Sequence, residues 1–285
     1  MEDPNIVATL VAMNTRAERA FQLDENWHRY QPPLLDHRPL PSRENTPFPD
    51  EIEEQHADVS HRLKLSFDKP PKDLRQGFVF GSDPDCDIRL VDRTNFQPQD
   101  RDKVQYISRK HFSVTFDEQR RVILRDTSTL GTSVSYDGQA EDEIRSHFTW
   151  IIFPGFETVK VKIPAADISF AIQLGEHEHC EAQYFAKIDL LFPQRTRAAE
   201  SGLTSRMQKV KVQSQSTSVA PSGAQTPRRG PIYLLQEELG QGGFGKVYKV
   251  VDVSSGESYA GKAFFGPEWT REVAIMKKVE HVGCR

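Results

Sequence analysis

Cysteine is scarce: Cys86, Cys180 and Cys284 are far apart and odd in number. That excludes a disulfide framework of the kind that staples small secreted domains, and it fits reduced thiols. Long apolar runs are missing too. The best stretch, Phe148 to Phe156, is broken by Pro154 and Gly155 and falls short of the ~20 residues that cross a bilayer. The N-terminus carries Glu2 and Asp3 where a secretory signal has positive charge. Neither sign of charge dominates, since 37 Lys and Arg face 41 Asp and Glu for a net −4. A chain-long grip on nucleic acid would leave a basic footprint, and there is none. Hydrophobic residues make up only 37% of the 285, and the mean hydropathy is −0.59. Folded parts diluted by unfolded segments are expected, in an intracellular protein of nucleus or cytoplasm.

Composition divides the chain into four. Residues 1–58 hold twelve acids, five Arg and seven Pro, and read as an acidic, Pro-rich disordered tail with one possible amphipathic turn near Ile6–Phe21. Residues 59–192 are β-rich: Arg62 to Phe67, Phe112 to Phe116, Val159 to Ile163 and Phe170 to Leu174 alternate apolar with polar residues. Turn signals such as Asp137-Gly138 and Pro154-Gly155 separate them, and about ten short strands without a convincing helix predict an all-β sandwich. Residues 193–230 hold six Ser, four Thr, seven Lys or Arg and one acid, the composition of a basic linker. After Pro231 the pattern becomes α+β: strands around a glycine loop lead to Glu268–Val279, where Trp269, Val273 and Met276 recur at helical spacing.

Three loops of the β-rich block carry chemistry: Gly81-Ser-Asp-Pro-Asp-Cys-Asp-Ile88, Ser108-Arg-Lys-His-Phe112 and Asp126-Thr-Ser-Thr-Leu-Gly-Thr132. Hydroxyls, backbone amides and guanidinium groups are what a phosphate with ~−2 charge and three acceptor oxygens requires. In order and strand context these loops resemble the forkhead-associated (FHA) domain, a phosphothreonine-peptide reader. The resemblance implies a phosphopeptide site at Ser82, Ser108, Arg109, Lys110, Thr129 and Leu130. Ser108 would donate its hydroxyl, Arg109 would add charge, Thr129 would bind the peptide and His111 would brace the loops. Two positions depart from the family: Ser82 stands where a phosphate-binding arginine is usual, and Leu130 where an asparagine holds the peptide backbone. Losing a charge-assisted hydrogen bond costs about ten- to a hundredfold in affinity. Candidates to replace the missing charge are Arg109 and Lys110, or Arg93, Arg101 and Lys103 from the 92–106 loop.

Farther on, Gly240-Gln-Gly-Gly-Phe-Gly-Lys-Val247 satisfies G-x-G-x-x-G-x-V. A dinucleotide loop runs straight into a helix, whereas Lys246 to Asp252 reads as a returning strand, followed by a turn at Ser254 to Gly256 and a strand carrying Lys262. That order resembles the small lobe of a protein kinase. By resemblance, Gly240, Gln241, Gly242, Gly243, Phe244 and Gly245 would cover the phosphates of ATP. Leu239, Val247 and Ala260 would enclose the adenine, Lys262 would reach the α and β phosphates, and Glu272 would pair with Lys262. No His-Arg-Asp, Asp-Phe-Gly or Ala-Pro-Glu occurs in the 285 residues. The chain is therefore expected to be truncated before the catalytic loop and inactive alone in phosphoryl transfer, which needs those groups and Mg²⁺.

The whole order resembles fungal FHA-containing Ser/Thr kinases of the checkpoint type. It implies docking on phosphothreonine proteins, protein substrates, and ATP with Mg²⁺ in a complete kinase. The alternative is a non-enzymatic phosphothreonine-peptide adaptor with a vestigial lobe. A third reading has the lobe bind ATP without transfer. His177-Glu-His-Cys180 lacks a second ligand set and reads as a polar loop, and Thr46-Pro47 and Thr226-Pro227 are candidate phosphosites.

Overall fold

A computed structural model of the chain describes residues 2–33, 60–94, 101–192 and 230–266. In chain order the first strands are β1 (Ile6–Ala12), β2 (Tyr30–Gln31), β3 (Arg62–Ser66), β4 (Phe78–Gly81), β5 (Ile88–Arg89) and β6 (Phe112–Phe116). They are followed by β7 (Val122–Asp126), β8 (Ser133–Tyr136), β9 (Thr149–Ile151), β10 (Val159–Ile163) and β11 (Ile168–Leu174). These form a six-stranded sheet in the order β2-β3-β1-β11-β10-β8 and a five-stranded sheet in the order β5-β4-β6-β7-β9. Alternation explains which face turns inward. In β10, Val159, Val161 and Ile163 are buried while Lys160 and Lys162 are not. Phe170 of the six-stranded sheet meets Phe80 and Phe112 of the other at 6.3 Å, and those two rings stack at 4.5 Å. Each such ring contributes about 1.5–3 kcal/mol by leaving water, so this trio ties the sheets into one sandwich. The predicted turn is present: Asp137 and Gly138 both have positive φ (49° and 84°), the requirement of a two-residue hairpin loop.

Two expectations need correction. Residues 2–33 are not a tail. β1 sits between β3 and β11, with Val7, Ala8 and Leu10 buried, and the short helix α1 (Thr15–Phe21) follows. Asn14 caps α1 by accepting the Ala17 amide at 3.0 Å, and Phe21 packs on Phe170 at 5.9 Å. Composition averaged over 58 residues hid this run beneath the acids and prolines that follow it. Nor is the sandwich without a helix. Besides the single turn α2 (Arg101–Val104), α3 (Glu181–Leu191) closes one end of the core. Tyr184, Ile188 and the following Phe192, four residues apart, face inward, and Phe192 meets Phe116 at 5.0 Å. The tail beyond residue 33, the linker 193–229 and the expected helix Glu268–Val279 with Glu272 lie outside the described residues.

β12 (Tyr233–Gly242), β13 (Gly245–Asp252) and β14 (Ser258–Phe264) form a third, antiparallel sheet. Its near end leans on the sandwich. The Ile151 amide, at the outer edge of β9, donates to the Val253 carbonyl at 2.8 Å, and the Val253 amide donates to the Ile232 carbonyl, just before β12, at 3.0 Å. Gln139 grips Leu235 from both sides, accepting its N–H at 2.8 Å and donating to its carbonyl at 3.1 Å. Ile232, Leu234, Val251 and Val253 join the sandwich's apolar core.

Candidate functional site

The three loops singled out in the sequence meet at one end of the sandwich. Gly81 is needed for that meeting, because a Cβ there would lie 2.0 Å from the Arg109 carbonyl. With the side chain absent, the backbone of 82–83 pairs with 108–109: Ser82 donates to the Ser108 carbonyl and Asp83 to the Arg109 carbonyl, both at 3.1 Å. His111 is fully buried beneath them. Its Nδ1 accepts the Ser108 amide at 3.1 Å, and burial holds its pKa below the usual value, so the ring is neutral and braces the loop.

Asp126 fixes the third loop. Its carboxylate accepts from the Ser128 amide (2.9 Å), the Ser128 hydroxyl (3.0 Å), the Thr132 hydroxyl (2.5 Å) and the His147 amide (3.1 Å). Ser128 in turn accepts the Gly131 amide at 2.8 Å. Gly131 has φ +86°, and a Cβ would strike the Arg145 backbone at 2.9 Å. Asp126 and Ser128 were not assigned to the site beforehand, yet Asp-x-Ser at a strand end is a side-chain-to-backbone turn signal readable in sequence.

On this frame the expected residues sort into three groups. Ser108 and Thr129 come together, with the Thr129 amide donating to the Ser108 hydroxyl oxygen at 3.4 Å. Arg109 is 81% exposed but engaged: Nε and Nη2 both reach Asp83 Oδ2, at 2.9 and 2.7 Å. The Asp85 amide first, and that guanidinium second, hold the Asp83 carboxyl below the usual carboxylate range. Lys110 donates to Gln76 at 3.0 Å, and Leu130 stands 47% exposed at the rim. Ser82 is the correction. It is buried, its hydroxyl turned inward to the Ile107 and Ser108 carbonyls at 3.3 and 3.4 Å, so it does not face a peptide. Arg93, on the 92–106 loop, donates through Nη2 to that same Ile107 carbonyl at 2.6 Å.

The glycine loop occupies the far end of the third sheet. Register places Gly240, Val247 and Lys262 side by side across β12, β13 and β14, and Ala260 shares the face of Lys262 two residues away. Added Cβ atoms at Gly240, Gly242 and Gly243 would meet nothing within 4 Å, which leaves the backbone open to a ligand. At Gly245 a Cβ would lie 2.2 Å from the Ala263 carbonyl, so this glycine is dictated by strand packing. Leu239 and Phe244 are exposed beside Gln241. Lys262 Nζ lies 4.6 Å from the centroid of the Phe264 ring, and Lys246 pairs with Glu238 at 2.8 Å.

Other candidates engage differently. His177 stacks on Tyr184 at 3.7 Å, and His179 Nδ1 lies 3.0 Å from Glu2. A cavity of about 960 Å³ beside them is lined by Glu2, Asp3, Glu157, Glu176 and Glu178 with no Lys or Arg, which suits no phosphate. Among the described residues no helix is long and apolar enough to cross a membrane.

Residues 78–144, from β4 to the loop after β8 and within the sandwich, match the family model of the FHA domain. The chain is similar to serine/threonine-protein kinase RAD53 of Saccharomyces cerevisiae, with 24% identity over 242 residues that cover 81% of this chain and 26% of the relative. It thus spans about a quarter of that relative's length. Among solved structures it is similar to the crystal structure of Rad53 1-466 in complex with AMP-PNP. That likeness has a TM-score of 0.33 and 18% identity, over 72% of this chain and 40% of the other.

Proposed function

We propose that the chain docks on phosphothreonine-containing proteins through the 82–83, 108–111 and 127–132 loops, in the service of Ser/Thr protein kinase signalling. The observation that carries this reading is the preassembled loop end. Ser108 and Thr129 come together at the loop end, and buried His111 and Asp126 hold the loop backbones in place before any ligand arrives. Preorganisation of this kind favours affinity because the loops do not lose conformational freedom on binding. The match of residues 78–144 to the FHA domain supports the same assignment. Fluorescence titration of the full chain with a phosphothreonine peptide and its unphosphorylated twin tests it. Preference for the phosphorylated peptide, lost in Ser108→Ala, is expected; equal binding of the two peptides contradicts it.

The third sheet supports a second part of the reading, binding of ATP by a kinase small lobe. Room above Gly240, Gly242 and Gly243 suits a polyphosphate approached by backbone amides, and the row Gly240–Val247–Lys262 sets an ammonium beside it. Val247 and Ala260 offer an apolar surface to a base, with Leu239 at its edge. Bound ATP would supply a transferable phosphoryl group, while this chain's part is to hold and orient the nucleotide. Thermal stabilisation by millimolar Mg-ATP, lost in Lys262→Met, is the expected result, and no stabilisation of the native chain counts against a nucleotide lobe.

A further inference from the structure

We infer that Arg93, and not Arg109, is the arginine that charges the phosphate site; this rests on the phosphopeptide reading above. Three observations converge. First, the Ser82 hydroxyl and the Arg93 guanidinium share one acceptor, the Ile107 carbonyl, at 3.3 and 2.6 Å. A guanidinium from a different loop thus reaches the backbone that leads into Ser108, while the Ser82 hydroxyl at the same carbonyl stays turned inward. Second, the two arginines are occupied differently. Arg109 is matched by a carboxylate, Asp83, which neutralises it and which an incoming phosphate has to displace. The partner of Arg93 among the described residues is a neutral carbonyl, contacted by one of its five N–H donors, so its charge remains available to an anion.

Third, the turn that presents Arg93 is anchored. Asp92 Oδ1 accepts the Thr94 amide at 2.8 Å, the Thr94 hydroxyl at 2.7 Å and Arg89 Nη2 at 2.9 Å. Arg89 is itself buried and paired with Glu25. Its backbone is held on both sides by Asn26, whose side chain accepts the Arg89 amide at 2.9 Å and donates to the Arg89 carbonyl at 2.7 Å. The segment before β3, which looked like a tail in sequence, therefore sets the position of the 92–94 turn. An arginine held this way loses less side-chain freedom on meeting a phosphate than one on a mobile loop.

The test compares single variants of the full chain, titrated with a phosphothreonine peptide and its unphosphorylated twin. Arg93→Ala is expected to weaken phosphopeptide binding by about ten- to a hundredfold, the worth of a charge-assisted hydrogen bond, with the unphosphorylated peptide unaffected. Arg93→Lys, which keeps charge but loses the fork, should fall between Arg93→Ala and the native chain. Arg109→Ala should cost no more than about fivefold, since an exposed ion pair already competes for it. Both positions are exposed, and unchanged melting temperatures will show that the fold is intact. A larger loss in Arg109→Ala than in Arg93→Ala overturns the inference, as does undiminished phosphate preference in Arg93→Ala. If the native chain shows no phosphate preference at all, the phosphopeptide reading falls and this inference falls with it.

Discussion

The sandwich and the three-stranded sheet are built from the same strand-forming residues, yet they are held in different ways. Each sheet of the sandwich covers the other, and large side chains such as Trp150, Tyr136, Phe80 and Phe112 leave almost no surface to water. Among the described residues, the third sheet is covered at its near end, where Ile232, Leu234, Val251 and Val253 are buried. Toward the glycine loop, Leu235, Leu239 and Phe244 stand 50%, 55% and 66% exposed. A three-stranded sheet needs an apolar face packed on something to be stable, and here the sandwich supplies it. The difference separates the two candidate ends. One is a rigid loop cluster resting on a filled core, and the other is an open hairpin tip that a ligand can cover.

The strands that connect these ends are the same. β7 ends at Asp126 beneath the 108–111 and 127–132 loops and begins just after Arg121, whose guanidinium donates to the Ser255 carbonyl at 3.1 Å. β8 starts beside Thr132 and runs toward Gln139, which grips Leu235. Docking of the third sheet therefore leaves the 82–83, 108–111 and 127–132 loops uncovered.

Damage to one core, followed in the other region, separates the two. Phe80→Ala should cost about 3–5 kcal/mol and melt both regions together, because the third sheet leans on the sandwich. Leu234→Ala should cost about 2–5 kcal/mol within the third sheet alone. Amide exchange would then rise across 232–264 while the sandwich kept its protection; simultaneous loss in both regions would mean one cooperative unit. Asp126→Ala leaves four donor groups without their acceptor, and a loss of about 1–3 kcal/mol is expected with phosphopeptide binding abolished, as followed by urea melts and titration. Gln139→Ala removes two hydrogen bonds at the docking edge, with an expected loss near 1 kcal/mol read as faster exchange at Leu235.

The smallest effect concerns acid. Burial keeps His111 neutral in the folded chain, whereas the unfolded chain takes up a proton near the ordinary pKa of about 6.5. More protons bind to the unfolded state below that pH, so the stability contributed by His111 is complete above about pH 6.5 and is lost as pH falls through it. Urea midpoints at pH 7.5 and pH 5.5 should differ less in His111→Asn than in the native chain. An equal difference would remove His111 from the account.

Much of this organisation was legible in the sequence, for reasons that also explain the omissions. Alternation in Val159 to Ile163 and Phe112 to Phe116 marked half-buried strands, and Asp137-Gly138 marked a turn, because period and turn chemistry are local properties. β1 was lost because its surroundings are acidic and proline-rich, while its own burial depends on β3 and β11, strands far away in the chain. α3 carried a readable signal in Tyr184, Ile188 and Phe192 that the surrounding β pattern masked. Ser108, Arg109 and Thr129 were found as a set, but the partners that decide their roles were not. Whether Ser82 points in, whether Asp83 occupies Arg109 and whether Arg93 reaches Ile107 are questions of loop placement that spacing does not answer.

Where a phosphopeptide binds is read most directly from amide resonances. Adding a phosphothreonine peptide to the ¹⁵N-labelled full chain should shift amide resonances of Asp83, Ser108 to His111 and Ser128 to Gly131, together with Arg93. Resonances of 232–264 should stay in place, as should all resonances with the unphosphorylated peptide. Shifts that miss those loops, or that appear equally with the unphosphorylated peptide, would contradict the assignment of the loop end as a phosphothreonine reader.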